Sequence, residues 1–129
     1  MGLLVLYEDN HLIAVKKEPG SIVQSDKTGD ETLAEEVKAY IKRKYKKPGD
    51  VFLGIVHRLD RPVGGVIVFA RTSKALTRMN ELFREKKISK TYWAIVEEKP
   101  PREDGQLVNW LKKNQEKNRS RAYNIEVKE

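Results

Sequence analysis

The chain has 129 residues, room for one compact domain. It has no cysteine, which excludes disulfides, thiolate metal sites and a cysteine nucleophile, and its two histidines are too few for a typical zinc site. Lysine and arginine outnumber aspartate and glutamate by 26 to 19, a net charge of +7 that suits an anionic partner such as nucleic acid without requiring one.

The opening residues, MGLLVL, meet Glu8 and Asp9 at once. They are too short for a signal-peptide core and carry no basic leader. No apolar run approaches the roughly 20 residues of a membrane span. A soluble, cytoplasmic protein with no membrane partner is therefore expected. Residues 3–7 and 12–16 read as two short strands joined by a turn at Glu8-Asp9-Asn10-His11. Residues 16–31, KKEPGSIVQSDKTGDE, are rich in turn formers and read as a loop. A helix should start at Thr32, because Thr32-Leu33-Ala34-Glu35 matches a capping box. Leu33, Val37 and Ile41 supply its apolar stripe, and Pro48-Gly49 should end it.

Residues 51–56 form a continuous apolar run, the pattern of a strand buried on both faces, and residues 66–70 form another. Thr72 or Ser73 can cap a second helix that turns Leu76, Met79, Leu82 and Phe83 inward. Residues 91–97, TYWAIVE, have the aromatic and β-branched make-up of a strand. Residues 100–105 read as a loop and residues 112–121 are polar and basic. The final stretch, AYNIEVKE, alternates like a strand. Strands dominate and two helices lie between them, so the expected class is α+β, with a mixed, mostly antiparallel sheet and two flanking helices.

Generic chemical motifs are few. There is no Walker loop and no dinucleotide fingerprint. His57 could be grouped with Asp60 and Ser25 or Ser73 as a triad, but without an elbow motif such a grouping is coincidence. The run KAYIKRKYKK, residues 38–47, holds six cations in ten positions, and Lys112, Lys113, Lys117, Arg119 and Arg121 form a second run. Each reads either as a solvated face or as a surface that tracks phosphates. Asp60 stands out. It lies between Arg58 and Arg61 at the end of an apolar run, Pro62 fixes the backbone after it, and Gly64-Gly65 permits close approach. Flanking guanidiniums favour an ionised carboxylate, fit for a nucleophile or base, although a structural ion pair explains the same pattern.

HRLDRPVGGVIVFARTSKALTRMNELF resembles the signature of the pseudouridine synthases of the RluA family. LYEDNHLIAVKKEPG is similar to that family's opening hairpin and loop, and KKISKTYWAIVEEKP to its Lys-x-Tyr-x-Ala strand. The three motifs come in family order and cover most of the chain. Two loop details depart from the pattern: Val63-Gly64 stands where Thr-Ser before Gly is usual, and Lys16-Lys17-Glu18 where Asn-Lys-Pro or Asp-Lys-Pro is common.

The resemblance implies a partial pseudouridine synthase catalytic fold. It implies isomerisation of uridine to pseudouridine in ribosomal or transfer RNA, with no metal or other cofactor. It makes Asp60 the catalytic aspartate and Tyr92 a second catalytic candidate whose ring packs on the target base. Arg58 matches the arginine that enters the space left by a flipped nucleotide, and Arg61 and Lys90 are RNA-binding candidates, with a structural role for Lys90 as the alternative. The family's domains continue through a later strand and an arginine- and histidine-bearing motif. Residues 1–129 are therefore expected to be the N-terminal portion of a catalytic domain, truncated at its C-terminus, with little isomerase activity alone and self-association through an exposed sheet edge. Two other readings stay open: a noncatalytic RNA-binding fragment, and a glycosidase-like hydrolase using Asp60, for which no second carboxylate is evident.

Overall fold

A computed structural model describes residues 2–128. The chain divides into two units, Met1–Lys90 and Thr91–Glu129. The first unit is built on a four-stranded sheet with strand order β1-β2-β4-β3, from β1 (Val5–Glu8), β2 (Leu12–Lys17), β3 (Gly54–Ile55) and β4 (Gly65–Ala70). All three pairings are antiparallel, and a lone parallel bridge links Ile22 to Thr32. Two helices complete the unit, α1 (Leu33–Lys44) and α2 (Ser73–Arg84). The expected α+β class, with two helices beside a mostly antiparallel sheet, is what the chain forms.

Alternation along β2 sets the core. Ile13, Val15 and Lys17 share one face, opposite Phe69, Ile67 and Gly65 of β4. Ile13, Val15, Ile67 and Phe69 are fully buried there against Leu33, Val37 and Ile41 of α1. Burying each such side chain stabilises the unit by about 1.5–3 kcal/mol. The apolar stripe expected for α1 is thus the face it packs. Its start is also as expected: Thr32 Oγ1 accepts from the Glu35 amide at 3.1 Å, and Glu35 Oε2 accepts from the Thr32 amide at 2.9 Å. α1 ends at Lys44, ahead of Pro48.

The far end of α1 is tied to β1 through Glu8. Its carboxylate accepts from Tyr40, Tyr45 and Lys44, and Arg71 Nη1 lies 3.9 Å away. Burial alone would raise the Glu8 carboxyl, but the tyrosine and lysine donors outweigh it and hold it below the ordinary value. The β1–β2 turn is closed by Asp9, which accepts from Tyr7 Oη and the amides of His11 and Leu12, each at 2.7 Å. The Tyr7 bond first, and then the two amides, bring Asp9 down to about 2.

Four expectations need correction. Residues 51–56 do not form a long, doubly buried strand. Only Gly54 and Ile55 pair, at the sheet edge, and Phe52 is exposed. Beyond Ile55 the His57 side chain replaces the backbone: Nε2 accepts from the Val68 amide at 3.0 Å, so β4 keeps a partner without a longer β3. α2 is capped by Thr72 as expected, and Leu76 packs over Gly54, where a Cβ would come within 2.9 Å of it. Leu82, however, is exposed and only Ala75 of this helix is fully buried.

In the second unit, residues 91–97 adopt no strand, and Trp93 and Ile95 are fully exposed. Among the described residues no strand offers them a hydrogen-bonding edge, so their β propensity goes unused. The unit's regular structure is a hairpin of β5 (Trp110–Asn114) and β6 (Arg119–Tyr123). It claims only the first two residues of the expected final strand, and Glu129 lies outside the described residues. Among the described residues no helix is long and apolar enough to cross a membrane.

Candidate active site

Alternation continues through the irregular segment after β3. His57 turns inward, stacked on Phe83 with ring centroids 5.2 Å apart. Arg58 is exposed, Leu59 packs on the core, and Asp60 is exposed. Burial, and then repulsion from Lys90, hold the His57 imidazole below its ordinary 6.5, consistent with a neutral ring accepting from Val68. The inward residues thereby present Arg58 and Asp60 on one surface. Both line a cleft of about 180 Å³ together with Arg61 and the segment from Ile22 to Asp26.

A tight turn follows Asp60, whose carbonyl accepts from the Val63 amide at 2.9 Å. That turn is held from below by Lys17, which is fully buried. Its Nζ donates to the carbonyls of Val63 at 2.7 Å, Arg61 at 3.0 Å and Glu18 at 3.2 Å. Burial first, then Arg61, lower the Lys17 ammonium from its ordinary value, while Asp60 attracts it and acts in the opposite sense. Gly64 completes the fit. A Cβ there would stand 2.9 Å from the Pro19 ring, so the close approach allowed by Gly64 is used by this chain itself.

The opposite wall is fixed by the start of α1. The amides of Leu33 and Ala34 donate to the carbonyls of Ile22 at 2.8 Å and Val23 at 3.1 Å. Helix N-terminal amides lacking intrahelical partners thus pin the loop. Arg61 links the two walls. Its guanidinium donates to Gly20 O and Asp30 Oδ2 at 3.0 Å, to Thr28 Oγ1 at 3.3 Å and to Asp26 Oδ2 at 3.4 Å.

The structure therefore brings Arg58, Asp60 and Arg61 together. Arg61 is spoken for by Asp26 and Asp30, and among the described residues no ion pair engages Asp60. Its carboxylate faces the cleft unpaired, and Arg58 beside it is equally free. Lys90 lies at the end of the first unit with Nζ 5.3 Å from the Phe83 ring centroid. Tyr92 belongs to the second unit and is exposed. Among the described residues no three histidine or acidic side chains converge as a metal-binding group. Sequence reasoning missed Lys17 and the wall from Ile22 to Ser25. The signal for Lys17 was its place on the inward parity of β2, after Ile13 and Val15.

The family model described as "RNA pseudouridylate synthase" matches residues 11–128, which include every residue of this cleft. The chain belongs to this family. Among similar proteins, "Ribosomal large subunit pseudouridine synthase C" of Buchnera aphidicola subsp. Acyrthosiphon pisum (strain APS) is 35% identical over 124 residues, 96% of this chain and 38% of that protein. The protein of the same name from Escherichia coli (strain K12) is 34% identical over 93 residues, 72% of this chain and 27% of that protein. The chain thus spans less than two fifths of the length of these relatives. A solved structure, "Human RNA Pseudouridylate Synthase Domain Containing 4", aligns with a TM-score of 0.55 and 25% identity over 65% of this chain and 30% of that one. The RluA-type resemblance is borne out at the level of family and fold.

Proposed function

We propose that these residues carry the aspartate-bearing part of an enzyme that isomerises uridine to pseudouridine in structured RNA. Ribosomal RNA is the first substrate to test, because the relatives are named for the large ribosomal subunit. Transfer RNA is the comparison. The cytoplasm, where such RNA lies, is the proposed place of action. The observation that carries this reading is the unpaired carboxylate of Asp60, held in a cleft beside Arg58 within the span matched by the family.

The chemistry suits that geometry. The bond from the ribose anomeric carbon to N1 of uracil breaks, the base turns, and a bond to C5 forms. A proton leaves C5 and one is gained at N1, so nothing is added overall and no redox partner is needed. Cleaving a glycosidic bond calls for a carboxylate at the anomeric centre or the base. A stacked nucleotide hides that bond, so the uridine must leave the stack. A cleft of about 180 Å³ suits a single flipped nucleobase and not a duplex. Asp60 is the catalytic residue in this reading and Arg58 occupies the vacated stack. Tyr92 supports the base, Lys90 contacts RNA, and Arg61 braces the cleft at the point where the backbone enters.

The test is pseudouridine formation on unmodified ribosomal RNA by the full-length protein that carries these residues and by its Asp60→Asn variant. The expected result is isomerisation by the parent, none by the variant, and RNA affinity unchanged within about twofold, since a carboxylate contributes no phosphate contact. Free uracil as the product would make it a hydrolase. Binding without isomerisation by the parent, or full turnover by Asp60→Asn, would overturn the proposal.

A further inference from the structure

The second basic run folds into a ribbon with two unequal faces. The β5–β6 register sets Trp110 opposite Tyr123, Lys112 opposite Arg121, and Asn114 opposite Arg119. These six side chains share one face, because directly paired residues of an antiparallel ladder project together. The other face carries Leu111, Lys113, Ser120 and Ala122. Neither strand contains an acid, and the hairpin's single glutamate, Glu116, sits in the turn. Among the described residues none of Lys112, Arg119 or Arg121 is in an ion pair, and all three are exposed.

Like charges placed directly opposite destabilise a strand pair, and a two-stranded hairpin is marginal to begin with. Lys112 facing Arg121 is such a pairing. The geometry is nonetheless well defined. Asn114 Oδ1 accepts from the Lys117 amide at 3.0 Å and closes the turn, Asn118 takes the left-handed φ of 49° that ends it, and Asn109 donates to Asn124 at 3.1 Å across the open end. The Arg121 guanidinium lies over the Tyr123 ring, 5.4 Å from its centroid, which limits where that charge can go. Three cations are held on one flat face, with same-face neighbours on a strand about 7 Å apart. A second, anionic surface with regularly spaced charges relieves their repulsion.

We infer that this face of the hairpin docks on the phosphate backbone of a double-stranded stem of the substrate RNA. The inference rests on the RNA-directed reading above and adds a surface of the second unit that grips the substrate. A stem fits better than a loose single strand for two reasons. Its phosphates stand at fixed spacing, as the cations do. The Tyr123 ring, half-buried and covered by Arg121, is not a free platform for stacking an unpaired base.

The experiment measures dissociation constants for a hairpin RNA stem and for a single strand of equal length, over a range of salt. It compares the protein with Lys112→Gln/Arg121→Gln and with a charge-matched control, Lys38→Gln/Lys47→Gln, from the other basic run. The hairpin variant should bind the stem about tenfold more weakly, and its slope of log affinity against log salt should shrink by about 2, one per phosphate contact. The control should stay within about twofold. Lys112→Glu guards against loss of folding, since it creates an attractive pair with Arg121 yet should weaken stem binding further. Wild-type stem affinity in the hairpin variants, equal losses in hairpin and control variants, or a loss confined to the single strand would overturn the inference. Isomerisation that requires Asp60 while hairpin variants bind normally sinks this inference alone. Hairpin-dependent binding by a full-length protein that does not isomerise uridine sinks only the catalytic reading. A protein that binds neither RNA sinks both.

Discussion

Lys17→Met tests whether the turn carrying Asp60 is held from beneath. Methionine matches the lysine stem closely and removes the ammonium, so little cavity forms. Three carbonyls lose a donor, but unequally. Glu18 O keeps the Ser21 amide and hydroxyl, and Arg61 O keeps the Gly20 amide at 2.7 Å. Val63 O loses its one protein donor among the described residues, at 2.7 Å the shortest of the three. A hydrogen bond to a charged group contributes about 1.5–3 kcal/mol net, and the other two carbonyls add less. Against this, the variant no longer buries an ammonium. The balance predicts a loss of about 2 kcal/mol, which for a unit of this size lowers Tm by roughly 8–16 °C. Far-ultraviolet circular dichroism is the assay, because α1 and α2 both lie in the first unit. If the proposed function holds, isomerisation by the full-length protein should fall by more than RNA affinity does, because the loosened turn carries Asp60. A Tm within about 2 °C of the parent would show that desolvation cancels the hydrogen bonds, and the account of the cleft floor would fail.

Thr32→Ala removes one half of the capping box and should cost about 1 kcal/mol, read as a lower urea midpoint for the helical signal. Thr32→Ser, which keeps the acceptor, should recover most of it. The folded state keeps His57 below its ordinary 6.5, so the unfolded chain takes up a proton first. The stability from neutral His57 is therefore full above about pH 6.5 and declines as pH falls below it. Urea midpoints at about pH 7.5 and 5.5 should show that decline, and it should be smaller in His57→Gln, which does not titrate. Tyr92→Phe keeps the ring and Tyr92→Ala removes it. If the ring supports the base, Ala should be worse than Phe by roughly 1–3 kcal/mol in kcat/KM, and equal values would remove Tyr92 from the site.

What the sequence revealed followed the reach of each signal. Thr32 and Glu35 interact within one turn, so their partnership was legible, as was the α1 stripe that matches the buried face of β2. The length of β3 was not, because it depends on where a partner edge stops, and the replacement of its ladder by the His57 ring is a tertiary event. Residues 91–97 show the same limit: aromatic and branched residues favour a strand only where an edge is available. Asp60 and Arg58 were legible as a motif, whereas the partners of Arg61 lie 31 to 41 residues away in sequence. Adjacency in sequence points to Arg61 as a partner of Asp60. The paired acids of the loop, Asp26 and Asp30, take it instead. The basic run near residue 117 showed its charge in sequence but not its sidedness, which only the hairpin register supplies.

The two braces of the cleft differ in how they answer to their surroundings. The Lys17 brace is buried, so dissolved ions barely reach it. The Arg61 brace is half-exposed, and at physiological ionic strength charges beyond roughly 8 Å are already screened from one another. A polyanion entering beside Asp60 brings phosphates that compete with Asp26 and Asp30 for the same guanidinium. One brace of the cleft is thus indifferent to ionic strength, and the other is held by carboxylates that a competing anion can displace.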